Sequence, residues 1–426
     1  MHTIRATILQ TPTPHELTVL PDHLVTVDGT GRITSVAPAD SGDGADSGDG
    51  ADETLGDGVV LVPGMIDGHL HAPQWPQLGT ALDRPLDQWL FDHTFPLESR
   101  FADTDLAVRV WDDMVPTLLS LGTTTVAYYG SIHVEATTAL AEACVRHGQR
   151  AFVGRVAMDH PDGTPGWYRD PSATDSVALS AASIEAIRAL DDPAGLVTPI
   201  VTPRFIPACS DEALTGLAEL AVATGTTIQT HCSEGDWEHG HVLDRCGVTD
   251  SHALDAFGLM RDHTVLAHAT HLDDADRSLI ARRGSGVAHC PLSNAYFSQR
   301  AFAARAAIEA GVRVGLGTDV AGGPNPSLFA QCGHAMTAGR RRSDDDGPGA
   351  RVDTIAAFWM ATAGGADLLG IDAGLLEPGR HFDAVAIRVP HVADADADWN
   401  AGFERLVQLA QPADIERVWV GGRRVA

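Results

Sequence analysis

Short apolar runs alternate along the middle of the chain with longer stretches whose apolar residues recur at three- and four-residue spacing. Strands buried on both faces read as continuous apolar runs, and helices packed on them as amphipathic stripes. The alternation is therefore the pattern of parallel βα units. Eight such runs occur, at residues 65–71, 123–129, 150–158, 197–204, 226–231, 264–268, 286–290 and 313–319. They predict an α/β fold of the (β/α)8, TIM-barrel type. Helices are predicted between the runs, for example at 211–224 and at 301–310, the second closed by Gly311.

The two ends of the chain read differently. Residues 3–9, 24–27, 33–36 and 59–62 are short strands parted by turns, and strand-like runs return at 382–388 and 415–421. Together they predict one small β-domain assembled from both termini. The expected division is 1–62 and 367–426 for that domain, with 63–366 as the barrel. An acidic Gly/Asp loop interrupts the first part at 41–58, where Ser41-Gly-Asp-Gly-Ala-Asp46 is repeated at once as residues 47–52. One tandem copy is too short for a calcium-binding array, so a solvated loop is expected. The acidic run from Asp394 to Asp398 reads the same way.

Composition narrows the partners. At 426 residues and 44% hydrophobic content the chain can bury a barrel core and an accessory domain. Its 57 acidic residues outweigh 29 basic ones, for a net charge of −28. Such a surface argues against nucleic acid, and it suits a salt-adapted protein or biased base composition equally. No lysine occurs, so every basic residue counted is Arg. A carboxylated lysine, the common bridge between two metals in barrel hydrolases, is thereby excluded, which favours a mononuclear site. The six cysteines (144, 209, 232, 246, 290 and 332) form no CxxC pair and are expected to be reduced. With no signal-peptide run and no long apolar span, a cytoplasmic location without membrane contact is expected.

The chemistry gathers at the ends of the predicted strands. His69 and His71 are two apart, so in a strand they point the same way. His231, Glu234, His268 and Asp319 end, or lie just past, three other runs. In a barrel the C-terminal strand ends carry the active site. Neutral imidazoles and a carboxylate suit zinc, so His69, His71, His231 and Asp319 are the expected ligands. Asp319 is also placed to accept a water proton, and Glu234 to act as a general acid/base. His268 either binds the metal or orients the attacking hydroxide from behind it. Each residue alone is weak in a chain with 20 histidines; the ordered set across four strands is the signal.

These segments resemble a known family. Pro63-Gly-Met-Ile-Asp-Gly-His-Leu-His71, Thr230-His-Cys-Ser-Glu234, Leu266-Ala-His268 and Gly317-Thr-Asp319 are similar to the deaminase and chlorohydrolase branch of the amidohydrolase superfamily. Residues 71–74 (HAPQ), 89–101 (WLFDHTFPLESRF), 148–154, 200–205 (IVTPRF), 289–294 and 317–323 look more narrowly like guanine deaminases. The resemblance, which runs from about residue 60 to 335, implies hydrolytic deamination of guanine to xanthine and ammonia with one zinc per subunit. It carries the metal onto His69, His71, His231 and Asp319, and proton transfer onto Glu234. Substrate contacts fall on Gln74, Arg204 and Phe205 beside the metal-site residues, and a homodimer is implied. Gln74 and Arg204 would donate to the purine carbonyl edge, and Phe205 would wall the ring. Three loops, 158–168, 295–300 and 324–326, depart from the family's pattern at expected positions around the pocket mouth. They leave 8-oxoguanine, an aminopyrimidine or a triazine open as alternative substrates. A cytidine-deaminase-type site is disfavoured, because its PCxxC element does not occur.

Overall fold

The computed structural model describes residues 1–39, 51–298, 300–392 and 398–426. The repeat of the acidic Gly/Asp loop and the 394–398 run therefore lie largely outside the described residues. The predicted βα alternation is present. The first two barrel strands are Met65–His71 and Thr123–Tyr129. The third is split into Arg150–Gly154 and Val156–Ala157, and the fourth into Val197–Pro199 and Thr202–Pro203. The last four are Gln229–Cys232, Val265–His268, Gly286–His289 and Arg313–Leu316.

Neighbouring strands pair in parallel in two groups, first to fourth and fifth to eighth. Two seams join the groups into a closed ring. At one, Val201 bridges Ile228, and Val201 N–H donates to Thr227 O at 3.0 Å while Gln229 N–H donates to Val201 O at 2.9 Å. At the other, Asp319 N–H donates to His69 O at 2.9 Å and His71 N–H to Val320 O at 3.1 Å. The Asp67 carboxylate reinforces this seam, accepting from Thr318 N–H at 3.0 Å, Thr318 Oγ1 at 2.5 Å and His69 N–H at 3.1 Å. Gly317 makes the approach possible, because a Cβ there would stand 2.9 Å from the Cβ of His69.

Several expected bounds shift: the third strand, expected over 150–158, breaks at Arg155, the fifth begins at Gln229 and not at 226, and the eighth ends at Leu316 and not at 319. The fourth strand was expected unbroken over 197–204, but Pro199 and Pro203 cannot donate to a ladder, and pairing lapses between them. The helix expected at 301–310 is confined to Ala304–Glu309. By contrast Asp211–Thr224 forms as expected, its N-terminus capped by the Ser210 side chain and its end by Gly225 at φ 65°. That helix buries Leu214 and Leu217 on the barrel, each worth about 1.5–3 kcal/mol.

Strands from both chain ends share a single sheet. Its order is Arg423–Arg424, Ile415–Val420, Ala384–Arg388, Val59–Pro63, His2–Thr13, Glu16–Val27 and Ile33–Pro38, with Glu53–Thr54 beside His2–Thr13. Only Gly64 separates this sheet from the first barrel strand. All six cysteines are unpaired, and no described helix is long and apolar enough to cross a membrane.

Candidate active site

Four strand ends bring their side chains to one point at the C-terminal mouth of the barrel. His69 and His71 leave the first strand on the same face, and one ligand nitrogen each from His69, His71 and His231 lies within 4.8 Å of the others. Glu234, His268 and Asp319 form an overlapping group on the same criterion. His71 Nε2 is 2.9 Å from His231 Nε2, and Asp319 Oδ1 is 3.2 Å from His69 Nε2 and 3.7 Å from His71 Nε2. His268 Nε2 lies 3.7 Å from Glu234 Oε2 and 3.8 Å from Asp319 Oδ2.

Backbone geometry aims these groups. Ser233, His268 and Asp319 all have positive φ, at 44°, 69° and 48°. The chain turns sharply at each strand end, in a conformation that L-residues rarely adopt and that clusters at functional sites. Asp250 holds the turn after the fifth strand by accepting from Ser233 N–H at 3.1 Å. Glu238 accepts from the Glu234 amide at 2.7 Å.

Burial sets the protonation. His69, His71 and His231 are pushed well below the usual imidazole range, first by desolvation and then by neighbouring imidazoles, His268 among them in every case, and by Arg204. They are therefore held neutral. The Nδ1 of His231 stands 2.5 Å from Arg204 O, a carbonyl that only accepts, so the proton sits on Nδ1 and the Nε2 lone pair faces the cluster. Glu234 and Asp319 are raised, both mainly by burial; Glu234 is raised further by the charge of Asp319.

The cluster is short of hydrogen-bond partners. Both ring nitrogens of His69, Nδ1 of His71 and Nε2 of His268 are buried with no hydrogen-bond partner. Unsatisfied polar atoms in a dry interior cost about 1–3 kcal/mol each. A cation satisfies converging lone pairs at one stroke. Three neutral imidazoles and a carboxylate are the donor set of a catalytic zinc site, so the residues fit that metal.

The pocket over this cluster is lined by His71, Gln74, Arg204, Phe205, His231, Glu234 and Asp319, every one named from sequence. His289, at the end of the seventh strand, lies outside this lining; it is buried and its Nδ1 is unpartnered. The lining also holds Leu86, Trp89, Leu90, Glu238 and Phe297, none given a role from sequence, although Phe297 lies in the 295–300 loop expected at the pocket mouth and Trp89 and Leu90 in the 89–101 segment. Trp89 and Phe297 meet at 5.0 Å from two different loops, closing one side. Glu238 was findable, being one helical turn past Glu234 in Asp236–Cys246. Of the three departing loops, 295–300 reaches the lining through Phe297; 158–168 and 324–326 contribute no lining residue.

Gln74 and Arg204 lie in the pocket wall and are already engaged. Arg204 Nη1 and Nη2 donate to Glu98 at 2.7 and 3.1 Å, and Gln74 Nε2 donates to Glu98 Oε1 at 2.9 Å. Glu98 was quoted only as part of a longer segment, and its signal was weak because it sits on the short helix Phe95–Ser99.

Residues 60–425 match the amidohydrolase family. The chain belongs to that family. The amidohydrolase is 36% identical over 377 residues to the probable guanine deaminase of Schizosaccharomyces pombe, covering 86% of this chain and 71% of that protein. Its structure superposes on guanine deaminase from C. acetobutylicum with bound guanine at a TM-score of 0.91, with 28% identity over 99% of each chain. An adenosine deaminase from Xanthomonas campestris with bound zinc also matches, at a TM-score of 0.84 and 26% identity over 99% of this chain and 92% of that one. Within its family the amidohydrolase resembles the guanine deaminases, as its sequence motifs imply.

Proposed function

We propose that this amidohydrolase hydrolyses guanine to xanthine and ammonia, with one zinc per subunit held by His69, His71, His231 and Asp319. The observation that carries the reading is that a cluster of buried imidazoles short of hydrogen-bond partners lies beneath one small pocket lined by His71, His231, a buried Glu and an Arg/Gln wall. Zinc supplies the acidity that turns water into a nucleophile near neutral pH. The chain's own residues do the rest. Glu234 reaches the pocket beside Asp319 and protonates a purine ring nitrogen; it regains a proton from the new C2 hydroxyl, and the water proton taken up by Asp319 goes to the departing 2-amino group, so both water protons end on nitrogen. The C2–N bond breaks as the new C2–O bond becomes the carbonyl of xanthine. Asp319 takes the water proton, and His268, fixed by a 2.8 Å contact with Asn294 Oδ1, orients the attacking group. Arg204 and Gln74 donate to the carbonyl edge, and Phe205 walls the ring.

The catalytic unit in this reading is 63–366, with 1–62 and 367–426 as its β-domain. A homodimer follows from family resemblance, and gel filtration tests it. Six unpaired cysteines suit a reducing compartment such as the cytoplasm.

The test is to mix zinc-loaded protein with guanine and follow both the ultraviolet change to xanthine and ammonia release. Zinc-dependent turnover is expected. Zinc bound in full with no ammonia from guanine would sink the substrate assignment, and 8-oxoguanine, aminopyrimidines and triazines would then be tried.

A further inference from the structure

The Arg204 guanidinium differs from an ordinary substrate-binding arginine in one respect: its charge is already answered. Glu98 is 1% exposed and Arg204 3%, so the ion pair is buried at the foot of the pocket wall. The two Glu98 oxygens accept three hydrogen bonds, two from Arg204 and one from Gln74. Gln74 is pinned at its other end, where its Oε1 accepts from Ala321 N–H at 3.1 Å, two residues after Asp319. The Phe95 ring lies 4.9 Å from Arg204 Cζ and fixes the plane of the guanidinium. One carboxylate thereby ties the segment after the first strand, the end of the fourth strand and the loop after the eighth.

Burial alone would pull the Arg204 pKa down, yet the Glu98 charge and hydrogen bonds hold it up, so the group stays cationic. The other ionisable groups that interact with this pair are the Tyr168 and Tyr129 phenols, the neutral imidazoles of His69, His71 and His231, and the carboxyls of Glu234 and Asp319. A guanidinium has five N–H groups. Glu98 takes one from each Nη, leaving donors for a ligand on a group with no net charge to offer.

We propose that Glu98 is a positioning residue that aims Arg204 and Gln74 and cancels the guanidinium charge, so that the pocket selects neutral oxopurines over anionic ones. This rests on the purine reading above. An unanswered arginine would bind any anion of the right size. With Glu98 in place, the Arg204 donors read a carbonyl as a hydrogen-bond acceptor only, and the wall itself offers no net positive charge to an anion. Guanine is neutral at neutral pH. Xanthine is the stronger acid, so the device disfavours the ionised fraction of the product and aids its release.

The experiment uses two probes at pH 7, neutral hypoxanthine and the urate monoanion, titrated calorimetrically into zinc-loaded wild-type protein, Glu98→Gln and Glu98→Asp. The kcat and KM for guanine and the zinc content are measured alongside. Wild type should prefer hypoxanthine. Glu98→Gln should shift the hypoxanthine-to-urate preference toward urate by about tenfold or more and raise KM by a similar factor at unchanged zinc content. Glu98→Asp keeps the charge but is one methylene shorter. It should raise KM while keeping the wild-type preference for the neutral probe. An unchanged preference and KM in Glu98→Gln would overturn the proposal, as would a Glu98→Asp protein that loses discrimination or leaves KM untouched. If Glu98→Gln fails to fold, the Asp variant decides alone. Wild type that binds hypoxanthine but does not turn over guanine would break the functional reading and leave this one standing.

Discussion

The metal cluster and the recognition wall face each other across one pocket and are built on opposite principles. At the cluster, buried imidazole nitrogens lack partners, and the protein leaves its lone pairs to a cation. At the wall, Glu98, Arg204, Gln74 and the Ala321 amide satisfy one another within the chain. The first region holds a deficit that a ligand relieves. The second is a finished structure with donors to spare. Affinity for a metal comes from deficit, whereas reading a small neutral molecule needs side chains that are already still.

The largest break in this comparison comes from the cluster. His69→Ala should lose metal binding and cut guanine turnover by at least about a thousandfold, since metal polarisation is worth several kcal/mol. Metal analysis of the dialysed variant checks this, and a fully zinc-loaded, active His69→Ala would remove His69 from the ligand set. Glu234→Gln separates the cluster from the proton path. It should retain zinc and lose about 10²–10⁴-fold in kcat, and loss of zinc would make Glu234 a ligand instead.

The two regions also differ in how far the sequence reveals them. His69, His71, His231, His268 and Asp319 were legible because strand side chains alternate with period two and barrel sites sit at the same end of every strand. Asp67 shares that face with His69 and His71 and was still passed over, because its partner Thr318 is distant in sequence and only barrel closure brings them together. Glu98, Trp89 and Phe297 had no period to betray them. They arrive on Phe95–Ser99, Leu86–Trp89 and Asn294–Ser298, turns too short for an amphipathic signal. Arg204 was singled out from the sequence, but its buried partner 106 residues away was not.

A stability experiment comes next in size, because removing one half of a satisfied wall leaves the other half buried without its partner. Arg204→Met leaves Glu98 buried and uncompensated, and should cost about 3–5 kcal/mol in the zinc-loaded protein. Adding Glu98→Met should restore most of that loss, since a buried ion pair replaced by apolar groups of similar volume is often near neutral. Denaturant unfolding of both variants and the double variant measures the coupling. Equal and additive losses would mean that the pair is not a unit, and the wall would then resemble the cluster.

The smallest effect tests whether the cluster rests on a satisfied support of its own. Behind Glu234, Asp250 accepts from Ser233 N–H through one oxygen, and His239 Nδ1 lies 2.6 Å from the other. The Asp250 hydrogen bond raises the His239 pKa, aided by the charges of Asp250 and Asp276 and opposed by burial and Arg300. A histidine raised on folding contributes stability that is complete below its unfolded pKa, near 6.5. That contribution is lost as pH rises through the folded value. Wild type should therefore become less stable on going from about pH 6 to pH 8, and His239→Gln, which cannot titrate, should show less of this loss. The difference in Tm change between the two proteins should be only about 1–2 °C, because the imidazole is partly exposed and screened. Equal slopes in the two proteins would show that the Ser233 turn is held without a protonated His239, leaving the Asp250 carboxylate alone as its support.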